Sequence, residues 1–212
     1  MQKIADTFFV GRVKKNTLSL IDHYYLAIKA AASNIRNHHE KQKFLKVLYE
    51  KFYRTYNPKA ADRLGIFYTP NEIVQFMTKS TNYHTYKHFG RLLSDPNVEI
   101  LDPATGTGTF ITELIEEIPK SKLDFKYINE IHCNEVGILP YYIANLNIEY
   151  TYKQKTGKYE PFENICFVDT LDNTGFRFKN KQTTLFDIGD KNLERIKKQN
   201  EKKFFAALKG IY

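Results

Sequence analysis

The 212-residue sequence contains no tryptophan, two methionines, two cysteines, ten glycines and seven prolines. Its cysteines, Cys133 and Cys166, are far apart and form no CxxC or ligand spacing, which argues against a disulfide scaffold or a zinc-finger pattern. They read as reduced core residues of a cytoplasmic protein. Long apolar runs are missing too. Nothing approaches the roughly 20 residues of a membrane-spanning helix, and no signal-peptide pattern opens the chain. Neither an internal repeat nor a low-complexity linker is visible. Familiar catalytic strings are equally scarce: there is no G-K-[ST] phosphate loop, no complete GxGxxG and no HExxH. His84 and His88 are four apart, the spacing of a helical metal pair, but no third ligand of suitable type accompanies them, so no metal is expected. No Ser-His-Asp or Cys-His set stands out.

Apolar residues make up 42% of the chain and aromatics 15%, enough to build a packed core. The formal net charge of +8 suits a polyanionic partner such as nucleic acid, because phosphates attract Lys and Arg without regard to sequence. The lysine-rich stretches 153–158 and 191–203 fit either phosphate contacts or a solvated surface, the commoner state for such runs.

Residues 1–62 read as an N-terminal helical segment. Leu20, Tyr24, Ala27 and Ala31 recur at helical intervals, as do Phe44, Leu45, Leu48 and Phe52, until Asn57-Pro58 breaks the pattern. A second helix start is expected at Thr69-Pro70-Asn71-Glu72, with Thr69 as N-cap, Pro70 at the first helical position and Glu72 completing a capping box. Ile73, Val74, Phe76 and Met77 would form its buried face. From about residue 97 strands and helices alternate: strands over 98–101, 128–134 and 165–168, helices over 110–118 and 139–150. Such repeats predict a parallel sheet with right-handed crossovers and ligands at the carboxyl ends of the strands. The expected organisation is therefore an α/β domain over 63–180 and a basic helical tail over 181–212.

The strongest chemical feature is Asp102-Pro103-Ala104-Thr105-Gly106-Thr107-Gly108-Thr109-Phe110, set between a strand and a helix. Gly106 and Gly108 permit a tight turn and close backbone approach to a ligand. The acidic Asp102 beside them disfavours a phosphate and suits a ligand carrying an ammonium group, such as the amino-acid end of S-adenosylmethionine. Glu135 closes the second strand, where a carboxylate can accept two hydrogen bonds from ribose hydroxyls. Asp169 follows the third strand, placed either to accept from an adenine amino group or to serve as a plain loop or cap residue.

Taken in order, Gly65-Ile66-Phe67-Tyr68-Thr69-Pro70, the Asp102 to Phe110 run, Asn134-Glu135-Val136 with Leu139-Pro140-Tyr141-Tyr142-Ile143-Ala144, and Val168-Asp169-Thr170-Leu171 resemble the motifs of adenine-specific DNA methyltransferases. The large restriction–modification polypeptides are the most similar group, and the likeness spans about residues 60 to 200. It implies a Rossmann-like, S-adenosylmethionine-dependent methyltransferase sheet behind the helical segment. It also implies a set of cofactor contacts. Phe67, Tyr68, Thr69 and Pro70 would meet the methionine end. Asp102, Pro103, Ala104, Thr105, Gly106, Gly108, Thr109 and Phe110 would hold its amino and carboxylate groups. Glu135 and Val136 would take the ribose side, and Asp169, Thr170 and Leu171 the adenine.

Enzymes of this kind place an Asn-Pro-Pro-Tyr motif after a fourth strand, where it holds the target amino group and stacks on the flipped base. No such string occurs in this sequence. The expectation is a cofactor-binding, incomplete sheet cut short before its catalytic motif, with no catalytic residue of its own and with DNA as the partner of the full-length enzyme. In the family's sheet the first strand lies between the second and the fourth. Its edge would be open here, and the expected compensation is a C-terminal stretch that covers that edge or the bare face of the sheet, or pairing there with a second copy of the chain or a complementing subunit. The other functions considered are a module that binds DNA or a partner without catalysis, and a methyltransferase for a non-DNA substrate.

Overall fold

The chain falls into two compact units, Met1–Ala61 and Asp62–Tyr212. The computed structural model describes residues 69–172 and 188–208 continuously, with side chains over 191–201 in the second stretch, and scattered residues between 19 and 55. The described residues of the first unit are helical, apart from Ile35. In the second unit the order is α1 (Asn71–Phe89), β1 (Ile100–Asp102), α2 (Thr109–Glu117), α3 (Lys120–Asn129), β2 (Ile131–Glu135), α4 (Ile138–Thr156), β3 (Ile165–Phe167), a 3₁₀ turn (Thr170–Asp172) and α5 (Ile188–Leu208).

The strands form a parallel sheet in the order β1-β2-β3, as the alternating pattern predicts. Its register pairs Asp102 with Cys133 and Glu135 with Phe167. Strand side chains alternate between faces. Ile100, Ile131, Cys133, Ile165 and Phe167 pack with Ile111, Leu114 and Ile115 of α2, Leu123 and Tyr127 of α3, and Tyr141, Ala144 and Ile148 of α4. Tyr127 stacks on Tyr152 with centroids 4.0 Å apart, and Phe162 lies 5.0 Å from it. The opposite face carries Cys166 and Val168, against which Ile196 of α5 is buried. Both cysteines are free and buried.

Several expected elements shift, each for a local reason. At the start of α1 the cap is Pro70, not Thr69, and it makes no side-chain cap hydrogen bond. The Pro70 carbonyl instead accepts from the N–H of Ile73 and of Val74, both at 3.1 Å. Of the four apolar residues expected on its buried face, only Val74 is buried, joined by Thr78, while Ile73, Phe76 and Met77 are exposed. The first strand begins at Ile100, not 98, because a buried ion pair holds the segment before it. Lys126 and Glu130 are 2.7 Å apart with side chains 1% and 5% exposed. Lys126 Nζ donates to the Val98 carbonyl (2.6 Å), and the Asn97 N–H donates to Glu130 Oε1 (2.6 Å). Asn97 is left at φ 65°.

The expected strand over 128–134 starts only at Ile131, since Ile128 belongs to α3. That helix is absent from the sequence reading because Phe125 and Ile128 are exposed while Lys126 is buried, which inverts the usual apolar signal. The helix expected over 139–150 continues to Thr156. There Thr151 and Thr156 hydroxyls donate to the carbonyls four residues back, and Gly157 closes the helix in the left-handed region.

Candidate cofactor site at the carboxyl ends of the strands

The turn after β1 is built from its own backbone and from β2. Thr105 Oγ1 donates to the Asp102 carbonyl (3.1 Å), the Thr105 N–H to the Asn134 carbonyl (2.9 Å) and the Gly108 N–H to the Thr105 carbonyl (2.9 Å). The two glycines serve different needs. Gly106 has φ 58° with open space where a Cβ would stand, so the backbone conformation alone selects glycine. Gly108 has φ 84°, and a Cβ there would lie 3.3 Å from Ala144 Cα, from the Ala144 carbonyl oxygen and from Ile148 Cγ1. Its role is the close packing of α2 on α4. From α4, Asn147 Nδ2 donates to the Thr107 carbonyl (2.9 Å) and steadies the turn from behind.

Two carboxylates flank this turn. Glu135 Oε2 accepts from the Gly106 N–H at 2.7 Å and Oε1 from the Gly137 N–H at 2.6 Å. Burial pushes its carboxyl upward, against the pull of the Gly137, Gly106 and Val136 amides. Asp102 Oδ1 accepts weakly from the Ala104 N–H at 3.3 Å. Its Oδ2 is buried with no hydrogen-bond partner. Burial pushes the Asp102 carboxyl up to about 6, opposed by the Ala104 amide and reinforced by the charge of Glu135. A buried, unpartnered carboxylate oxygen is costly by itself and gains most from a cationic donor.

The third corner follows β3. The Val168 N–H donates to the Glu135 carbonyl (3.0 Å) and joins the two strand ends. Asp169 Oδ1 accepts from the Leu171 N–H (2.9 Å), shaping a tight turn. Leu171 is 92% exposed and Val136 47%, so apolar side chains border this end while carboxylates border the other.

The fold thus gathers Asp102 to Gly106, Glu135, Val136 and Asp169 to Leu171 at one end of the sheet. Gly108 turns toward α4, Thr109 opens α2, and Phe110 is half-buried in the first turn of that helix. Thr69 and Pro70 precede α1, and among the described residues no hydrogen bond ties them to the glycine turn. Phe67 and Tyr68 lie outside the described residues. Three contributors went unassigned in the sequence reading: Asn134, Gly137 and Asn147. Asn134 had a visible signal, being a polar amide directly before Glu135 at the carboxyl end of its strand. Gly137 and Asn147 had none, since their roles arise from tertiary placement. Lys155 answers one open question about the basic stretches, because its Nζ donates to the Ile115 carbonyl (2.8 Å) at the end of α2.

Comparison with known proteins agrees with this geometry. The model of the N-6 DNA Methylase family matches residues 40–198. A solved DrdV–DNA complex is 59% identical with TM-score 0.85, over 94% of this chain and 19% of that one. A nuclease-deletion mutant of the Type ISP restriction–modification enzyme LlaGI, in complex with a DNA substrate mimic, is 34% identical with TM-score 0.72, over 92% of this chain and 16% of that one. The ATP-dependent Type ISP enzyme LlaBIII bound to DNA is also 34% identical with TM-score 0.72, over 92% and 13%. The chain therefore spans less than a fifth of the length of each of these structures. No curated protein matches it. With three-quarters of the sequence under the family model, and with the glycine turn and the two carboxylates at the carboxyl ends of a parallel sheet, the chain belongs to the N-6 DNA methylase family.

Proposed function

We propose that this chain binds S-adenosylmethionine, the methyl donor its family uses, at the glycine turn, as the cofactor-holding part of a DNA adenine methyltransferase of a restriction–modification system. The observation that carries the reading is the buried, unpartnered Oδ2 of Asp102 beside an open glycine turn. That atom suits the ammonium of the cofactor's amino-acid end. The Glu135 oxygens each accept one backbone N–H and keep a lone pair for ribose hydroxyls. Val136 and Leu171 offer apolar surface to an adenine ring, and Asp169 an acceptor for its amino group. When bound, S-adenosylmethionine supplies a sulfonium-activated methyl group. The residues here bind and orient it.

Under this reading DNA is the methyl acceptor of the whole enzyme. Support comes from the relatives solved with DNA and from the net charge of +8. The sequence holds no Asn-Pro-Pro-Tyr string, so these residues bind cofactor without transferring methyl by themselves. The test is calorimetric titration of the 212-residue chain with S-adenosylmethionine, paired with tritiated methyl transfer to DNA. Binding without transfer, lost in Asp102→Ala, is expected. Transfer by the chain alone would overturn the assignment of a purely cofactor-holding role. An Asp102→Ala variant that binds as well as the parent would overturn the placement of the ammonium group.

A further inference from the structure

The turn that follows β3 is joined to the glycine turn through one hydroxyl. Thr170 Oγ1 lies 2.5 Å from the Pro103 carbonyl oxygen and 3.2 Å from Asn134 Nδ2. A carbonyl can only accept, so the hydroxyl proton goes to Pro103 and an oxygen lone pair accepts from the Asn134 amide. Three chain segments thereby meet at one atom: the turn after β1, the end of β2 and the turn after β3. The other links described in this region each join two of them. Asn134 is fully buried and its Oδ1 has no hydrogen-bond partner, so the contact with Thr170 satisfies only the amide nitrogen of that side chain. The backbone carbonyl of the same Asn134 supports Thr105 at the base of the glycine turn. On the other side, Thr170 sits between Asp169 and Leu171, whose own turn is closed by Asp169 Oδ1.

We propose that Thr170 is a positioning residue that locks the turn after β3 to the glycine turn, fixing the distance between the two ends of the ligand site. Its ligand rests on the cofactor reading above; the lock itself does not. A ligand gripped at both ends gains when the two subsites are already ordered relative to each other, because that ordering is then not lost from binding. A ligand that touches one end gains little. In this role Thr170, which the sequence resemblance groups with the adenine contacts, acts through Pro103 and Asn134.

The test compares the 212-residue chain with Thr170→Val, which keeps the shape and removes the hydroxyl, and Thr170→Ser, which keeps the hydroxyl. Thr170→Ala is a second hydroxyl-free variant should the valine one fail to fold. In the ligand-free chain, hydrogen exchange at Thr105 and Gly106 is expected to quicken about tenfold in the hydroxyl-free variants and to stay near the parent in Thr170→Ser. Affinity for S-adenosylmethionine is expected to fall about tenfold in Thr170→Val and to recover in Thr170→Ser, with adenosine or methionine alone changing less than about twofold. Unchanged exchange in the hydroxyl-free variants would overturn the lock. So would a serine variant as impaired as the valine one, which would mean that packing is responsible, or fragments that weaken as much as the whole cofactor. If the parent chain binds no S-adenosylmethionine, the cofactor reading falls and the exchange comparison still decides the lock.

Discussion

Asp102 carries a conflict between folding and binding that pH can expose. Its carboxyl stands at about 6 in the folded chain against 3.8 as the ordinary value. The folded state therefore keeps a proton that the unfolded chain gives up between about pH 4 and 6, and this group's contribution to stability falls as pH rises through that window. Glu135 is displaced in the same direction and adds to the slope. Asp102→Asn removes the Asp102 part. Denaturant unfolding is expected to find the variant more stable than the parent at pH 7, by on the order of 1–3 kcal/mol, with the difference vanishing near pH 3.5. Affinity for S-adenosylmethionine should move the other way, and in the parent it should weaken below about pH 6 as binding has to expel the proton. At the same scale, the glycines separate conformation from space. Gly106→Ala meets only the left-handed penalty, about 1–2 kcal/mol. Gly108→Ala adds the contacts with Ala144 and Ile148 at 3.3 Å, so its unfolding midpoint should drop further than that of Gly106→Ala.

At the scale of elements, the Lys126–Glu130 pair shows how α3 sets the start of β1. Lys126→Met leaves Glu130 buried and uncompensated, and a loss of about 3–5 kcal/mol is expected. The double variant with Glu130→Leu should recover part of this but not all, because the Val98 carbonyl and the Asn97 N–H still lose their partners. A double-mutant cycle by urea unfolding checks both values. The same pair explains what the sequence concealed. A buried lysine and two exposed apolar residues hide α3 from a periodicity argument, and the displaced Asn97 shortens β1. Legible elements were those whose burial follows the ordinary rule: α2 with Ile111, Leu114 and Ile115, and β3 with Ile165 and Cys166. In the site, Asp102 and Glu135 were legible because acidic residues at strand ends need a reason. Thr170 was legible only as part of a motif, since its partners lie 36 and 67 residues away.

For the whole molecule, the handedness of the connections decides where another strand would fit. Helices α2, α3 and α4 lie on one face and carry the chain from β1 to β2 to β3. Helix α5 packs on the other face, where Ile196 meets Cys166 and Val168. Asn192 caps the outer edge of β3, accepting from the Phe167 N–H (2.7 Å) and donating to the Phe167 carbonyl (2.8 Å). The C-terminal stretch thus covers the bare face beside β3, one of the compensations expected from the sequence. Among the described residues no strand lies beyond β1. A right-handed crossover that leaves β3 over the α5 face must return across the sheet, so a parallel strand joined through α5 adds to the open edge of β1. The strand order then reverses at β1, and Asp102 with its glycine turn stands at the switch point where such sheets bind ligands. A polypeptide from a related methylase that supplies this strand and an Asn-Pro-Pro-Tyr segment is therefore expected to pair with β1 and restore tritiated methyl transfer to DNA. Leu101 is 36% exposed on the edge strand, and a charge there opposes strand addition. Leu101→Lys should suppress the restored transfer while cofactor titration stays within about twofold of the parent. It should also lower any concentration-dependent self-association seen by sedimentation velocity. Transfer restored equally in parent and variant would place the added segment elsewhere than at β1.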